Sequence, residues 1–203
     1  MPSPFQPIPG TRTIPGGIFV DHWGTLLRRP DAGFALDVGE LEFQEGAVNA
    51  LFHAHEAGWN IYLIGNEFSV PQGLLPYARW QELEAHILQH LQSHGVPVTR
   101  SYICTDDPEG KKPHNRDSVY LLPNTGPMYH ASQNDGINLS KCWVIGDSTL
   151  ELVAGWRAGC HTVGVRTGEA VADGALHVEP EVLADNLADA LGLIISGTAT
   201  PRL

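Results

Sequence analysis

Five short apolar runs, each leading into a stretch of helical spacing or a turn, fix what this chain can fold into. The runs are IFVD (18–21), NIYLIG (60–65), SYIC (101–104), CWVIGD (142–147) and HTVGV (161–165). Between them, residues 46–57 place Val48, Leu51, Phe52 and His55 on one side and stop at Gly58. Residues 77–94 carry the stripe Trp80, Leu83, Ile87 and Leu91, and Gly95 and Pro97 end it. A helix is expected from 127 to 133 after Thr125 and another from 149 to 158, closed by Gly159. LHVE (176–179) reads as a sixth strand and 180–193 as a last helix. Strands that are apolar along their whole length need cover on both faces. Repeated β–α alternation therefore predicts an α/β fold, a Rossmann-like doubly wound parallel sheet. One domain over 16–195 is expected, with no large cap domain. The Pro- and Gly-rich residues 1–15 read as a flexible arm and 196–203 as a flexible tail.

In such sheets ligands sit beyond the carboxyl ends of the strands, where the strand order reverses. That rule gathers Asp21, Gly65, Asn66, the loop after Cys104, and Asp147 on one rim. Two carboxylates at strand ends suit a hard divalent cation, most plausibly Mg²⁺. Glu151, one helical turn after Asp147, can join its inner or outer shell. Lys111 and Lys112 bring positive charge to the same cleft. Carboxylate, cation, lysine and turn N–H groups together make a workable phosphoryl-transfer site.

The net charge of −11 argues against nucleic acid or an anionic membrane surface as partner. No apolar run is long enough to span a bilayer. Cys104, Cys142 and Cys160 lie apart in apolar contexts and share no metal-type spacing. They read as buried free thiols of a cytoplasmic protein. His86, His90 and His94 fall on a polar flank, and His53 and His55 do not face the same way.

VDHWGTLL, IYLIGNE, GKKP and VIGDSTLE, in that order, resemble the four motifs of the haloacid dehalogenase (HAD) superfamily. The pieces FQEGAVNALFHAHEAGWNIYLIGNE, ICTDDPEGKKPH and VGVRTG resemble its capless histidinol-phosphate and heptose-bisphosphate phosphatase branch. The resemblance implies a HAD-type core, Mg²⁺ dependence and an aspartyl-phosphate intermediate formed from a small, sugar-phosphate-like substrate. It casts Asp21 as nucleophile and metal ligand, the main-chain carbonyl of Trp23 and the Asp147 carboxylate as further ligands, and Glu151 as the second acid of the fourth motif. It has Lys112 hold the phosphoryl group, and places Gly65, Asn66 and Lys111 at the substrate.

The chain departs from that pattern at informative places. The general acid/base aspartate of the first motif is Trp23, and the threonine of the second is Gly65. Indole has no titratable group near neutral pH, and proton-transfer help is typically worth ~10²–10⁴-fold. Of the branch's zinc loop Cys104 remains, so no structural zinc is expected. His22 and Glu67 are candidates to supply the proton instead; against that, strand alternation turns His22 away from Asp21 as a packed or surface histidine, and Glu67 reads as a solvated carboxylate. HNRDSVYLLPNT (114–125) reads as a surface insertion, a small lid or a surface for a protein partner. Beside a phosphohydrolase of altered mechanism, two alternatives stay open. One is a catalytically silent relative that binds a phosphorylated ligand or a protein. The other is dehalogenase-like displacement on carbon, in which a halide leaves without a proton.

Overall fold

The computed structural model describes residues 16–199; the arm at 1–15 and the end of the tail, 200–203, lie outside them. Six parallel strands form one sheet: β1 (Gly17–Asp21), β2 (Asn60–Ile64), β3 (Val98–Ser101), β4 (Trp143–Gly146), β5 (His161–Val165) and β6 (Val182–Ala184). Their order is β3-β2-β1-β4-β5-β6. The chain first builds outward from β1 on one side, then crosses to β4 and builds outward on the other. The reversal lies between β1 and β4, so the crevice at their carboxyl ends is where a ligand belongs.

Helices cover both faces because the strands alternate apolar side chains between them. Ile18, Val20, Ile61, Leu63, Ile145, Val163 and Val165 pack on one side. There they meet Leu51 of α1 (Ala47–Glu56), Trp80, Leu83, Ile87 and Leu91 of α2 (Tyr77–Ser93), and Leu187 and Leu191 of α5 (Leu187–Ile195). Phe19, Tyr62, Ile64 and Val144 face the other side, against Met128 and Ala131 of α3 (Gly126–Asp135) and Ala154 and Ala158 of α4 (Thr149–Ala158). The stripe read on α2 is its buried face.

Two strands lie elsewhere than the apolar runs suggest. The third ladder is formed by Val98–Ser101, and 102–104 only prolong it through Tyr102 N–H to Leu63 O (2.8 Å) and Cys104 N–H to Gly65 O (2.8 Å). It is an edge strand whose Thr99 and Arg100 stay exposed, so its polar residues carry no burial signal. The sixth strand is Val182–Ala184, not 176–179. It pairs with β5 from Val163↔Val182 to Val165↔Ala184, too short a run to show alternation. The last helix consequently starts at Leu187, where Asn186 caps it by accepting from Asp189 N–H (2.9 Å).

Across the β3 edge, Arg100 donates to both oxygens of Asp135 at the end of α3 (3.0 and 2.8 Å), and the Tyr62 hydroxyl donates to the same carboxylate (3.1 Å). These bonds, Arg100 first, hold the Asp135 pKa below its ordinary value. A depressed carboxylate contributes stability above its unfolded pKa and loses it as pH falls through the folded one. Asp135→Asn is therefore expected to lower the denaturant midpoint at neutral pH, with the gap to wild type closing on acidification. A gap that stays constant into the acid range would refute this.

Candidate active site

The sheet order brings Asp21, the last residue of β1, beside Asp147, the first residue after β4. Both carboxylates are almost fully buried, at 4% and 1% exposed. Burial, and next the charge of Asp21, push the Asp147 pKa up to about 7. The chain packs tightly here. Gly24 has φ +91°, and a β-carbon on it would lie 2.1 Å from Asp147 Oδ2, so only glycine permits the approach. Asp147 accepts from Glu169 N–H (2.7 Å) and, more weakly, from the Thr25 hydroxyl (3.4 Å). Arg29 stands 3.9 Å from it while bonded to Glu169 (3.0 Å).

α4 begins directly behind Asp147. Ser148 is its N-cap, and Glu151 returns to Ser148 through its N–H (3.2 Å) and hydroxyl (2.5 Å), a complete capping box. Glu151 is 5% exposed, and burial followed by the charge of Asp21 raises its pKa. Its Oε2 is committed to the cap. Among the described residues no three His, Cys, Asp or Glu side chains converge as a metal cluster. The donor set at the switch point is thus two carboxylates and main chain, with Glu151 in the wall. Two buried anions side by side fit a divalent cation, which would offset a repulsion that Arg29, the Glu169 N–H and His22 relieve only in part.

The rebuilt part of the site lies on the other side of Asp21. The chain turns at once after β1: Leu26 N–H donates to Asp21 O (3.1 Å) and Leu27 N–H to His22 O (2.8 Å). Residue 22 has left the strand, so strand alternation does not apply to it. Contrary to the sequence reading, His22 faces Asp21. Its Nδ1 is 3.5 Å from Asp21 Oδ1 and its Nε2 3.6 Å from Glu67 Oε2, with the ring 1% exposed. At these separations the contacts are ion pairs; neither ring nitrogen makes a full hydrogen bond. Burial lowers the imidazole pKa, but Asp21 and Glu67 outweigh it and hold it up at about 9.

Glu67 is likewise not a solvated carboxylate, being 2% exposed. It accepts from Trp23 Nε1 (2.8 Å), the Ser69 hydroxyl (2.5 Å) and Ser69 N–H (3.2 Å). Burial would raise its pKa, but His22, Ser69 and Trp23 together bring it below the ordinary value. An acid held ionised cannot serve as the missing proton donor. The sequence offers both only as possible proton donors; that Trp23 ties Glu67 to the site is a contact across 44 residues.

A cavity of about 500 Å³ opens beside these groups, lined by Asp21, His22, Trp23, Asn66, Glu67 and Glu151 and, toward its mouth, by Arg29, Phe34, Phe68, Gln72 and Asp173. Asn66 lines it, yet its amide is used at both ends by Leu122: Nδ2 donates to Leu122 O (3.0 Å) and Oδ1 accepts from Leu122 N–H (2.8 Å). It fastens the 114–125 segment to the rim. Lys111 and Lys112 are exposed and neither lines the cavity. Lys111 runs along Gly73, where a β-carbon would meet its Cδ at 3.1 Å. Their loop is clamped by Asp106, which binds His114 Nδ1 (3.1 Å) and Arg116 Nε (2.9 Å). Cys104 is buried and donates to Asp106 O (3.4 Å).

Comparison with known proteins agrees with this geometry. A HAD-hydrolase-like family model matches residues 123–190. The D-glycero-beta-D-manno-heptose-1,7-bisphosphate 7-phosphatase of Haemophilus ducreyi is 28% identical over 156 residues, 76% of this chain and 85% of that protein. The enzyme of the same name from Haemophilus influenzae is 26% identical over 86% of this chain and 91% of its own. The crystal structure of the B. bronchiseptica D,D-heptose 1,7-bisphosphate phosphatase, complexed with magnesium and phosphate, superposes with a TM-score of 0.77 at 22% identity, covering 90% and 99% of the two chains. The chain is similar in sequence and fold to phosphatases of the haloacid dehalogenase type.

Because Asp21 and Asp147 repel each other when no cation lies between them, Mg²⁺ is expected to stabilise the fold. Ligand at ~100 times its dissociation constant contributes about 2.7 kcal/mol, which for a domain of this size corresponds to roughly 5–10 °C in thermal midpoint. Asp147→Asn should lose that rise and be at least as stable as wild type without metal. A wild-type midpoint indifferent to Mg²⁺ would remove the metal from the site.

Proposed function

We propose that this protein is a HAD-type, Mg²⁺-dependent phosphohydrolase that acts on a small phosphorylated, sugar-like metabolite through an aspartyl-phosphate on Asp21. The observation that carries this is the meeting of the buried Asp21 and Asp147 at the β1/β4 reversal, at the head of a cavity of metabolite size. Asp147, with the Trp23 main-chain carbonyl and the Asp21 carboxylate, would hold the cation. When bound, the cation neutralises charge on the phosphoryl oxygens. The relatives' names point to a phosphorylated sugar as the substrate class. The mixed cavity lining, Phe34 and Phe68 beside Gln72 and Asp173, suits a polar ring carrying an anionic group. No helix among the described residues is long and apolar enough to cross a membrane. The three buried free thiols support a reducing, cytoplasmic setting.

In the first half-reaction an Asp21 oxygen forms a bond to phosphorus and the bond to the leaving oxygen breaks. No carboxylic acid stands at residue 23 to protonate that oxygen, and Glu67 is held ionised. The His22 ring is committed to Asp21 and Glu67, so the leaving group is expected to carry its own charge. Acyl or aryl phosphates are expected to turn over ~10²–10⁴-fold faster than alkyl phosphates, the range such acid help is worth. Mg²⁺-dependent phosphate release across such a series, abolished in Asp21→Asn, tests the reading. Release that is independent of leaving-group acidity would show that a proton donor is present after all. The alternative of a silent, ligand-binding relative draws on the two lysines lying outside the cavity. It predicts no release from any substrate, with a phosphate mimic still bound.

A further inference from the structure

His22, Trp23 and Glu67, beside Asp21, touch one another, and Gly65 makes room for them. A β-carbon on Gly65 would lie 2.1 Å from His22 Nδ1, 2.5 Å from its Cε1 and 2.7 Å from Asp21 Oδ1. The imidazole therefore occupies the space that a residue-65 side chain would need, and Gly65, at φ +142°, admits no other residue without strain. On its far side the ring meets Glu67 Oε2, which Trp23 Nε1 also holds, and Glu67 Oε1 is fixed by Ser69. His22 lines the cavity, is 1% exposed, and has two ring nitrogens without a full hydrogen bond. A buried polar ring in that condition is costly unless it serves something at the site.

We propose that His22 is a positioning residue for the Asp21 carboxylate, standing where the motif-two side chain would stand. This rests on Asp21 being the attacking group. Nδ1 faces Oδ1 of Asp21, and holding one carboxylate oxygen leaves the other free to attack. Glu67 anchors the opposite nitrogen and so sets the ring plane, and Trp23 and Ser69 fix Glu67. His22 is also the basic side chain paired with Asp21, while Lys111 and Lys112 stay outside the cavity.

The test compares wild type, His22→Ala and His22→Asn with the best aryl phosphate and Mg²⁺, after circular dichroism has shown each variant folded. A donor facing a charged oxygen is worth ~10–100-fold in rate. His22→Ala is expected to lose that much in kcat with KM within about threefold, since the group acts on the attacking carboxylate and not on substrate binding. Asn can place its amide nitrogen near the Nδ1 position, so His22→Asn should keep kcat within about tenfold of wild type. Added imidazole should recover part of the rate in His22→Ala, because the truncated position opens on the cavity. A His22→Ala protein with wild-type kcat overturns the proposal. So does a loss that neither asparagine nor imidazole reduces, which is what a packing role would give. Wild-type protein that releases no phosphate from any phosphomonoester overturns the phosphatase reading and takes this one with it.

Discussion

Two carboxylates buried side by side at one point of the sheet set the terms for the surrounding structure. Asp21 and Asp147 come from strands far apart in the chain that become neighbours only because β4 pairs with β1. Like charges in a low-dielectric setting are unfavourable unless something compensates. The chain compensates Asp147 in part, with the Glu169 N–H and the distant Arg29 guanidinium, and the residual strain is recorded in its pKa of about 7. Gly24 exists to let the backbone pass against that carboxylate. The capping box at Ser148 and Glu151 fixes where α4 starts, and so fixes the direction in which residue 147 leaves β4. A cation between the two carboxylates, as proposed, would complete that compensation.

A second buried cluster stands beside the carboxylate pair. Here Trp23, His22 and Glu67 form one connected buried cluster, and Gly65 leaves the volume it needs. The Glu67 carboxylate is satisfied by three donors, while the adjacent imidazole keeps both ring nitrogens short of a full hydrogen bond. The cluster gives Asp21 a specified set of buried neighbours. What it does not supply is a neutral acid beside the leaving group, because the same contacts keep Glu67 ionised.

The fold was legible where a local signal marked both ends of an element. α4 and β5 sit where the sequence puts them, because Ser148 and Gly159 bracket the helix and HTVGV is apolar throughout. The ends of the sheet were not legible. β3 exposes its polar residues and β6 is three residues long, so neither has the burial pattern from which strands are recognised. In the site, Asp21, Asp147 and Glu151 were legible as strand-end and first-turn acids. His22 was misread because alternation was carried one residue past the end of β1, into a turn that obeys different geometry. Glu67 was misread because nothing near it in sequence shows that Trp23 reaches it. Asn66 was placed correctly on the rim, but its amide closes on Leu122, a contact that only the folded 114–125 segment creates.

The charge around the cavity sharpens what can enter it. Asp21, Glu67, Glu151, Glu169 and Asp173 all line it, against His22 and Arg29 as the basic side chains. Arg29 is already paired with Glu169, and His22 lies between Asp21 and Glu67. A bare phosphate approaching this wall would meet net negative charge, so the protein's own side chains cannot be the main attraction for an anionic guest. The acidic wall instead favours a cation first and the anion only as its partner. Binding of a phosphorylated metabolite should then be ordered by the metal. The same wall would reject phosphorylated molecules whose remaining charge projects toward Glu169 and Asp173. Selectivity would come from that repulsion together with the apolar contacts of Phe34 and Phe68, in a site whose lysines lie outside the cavity.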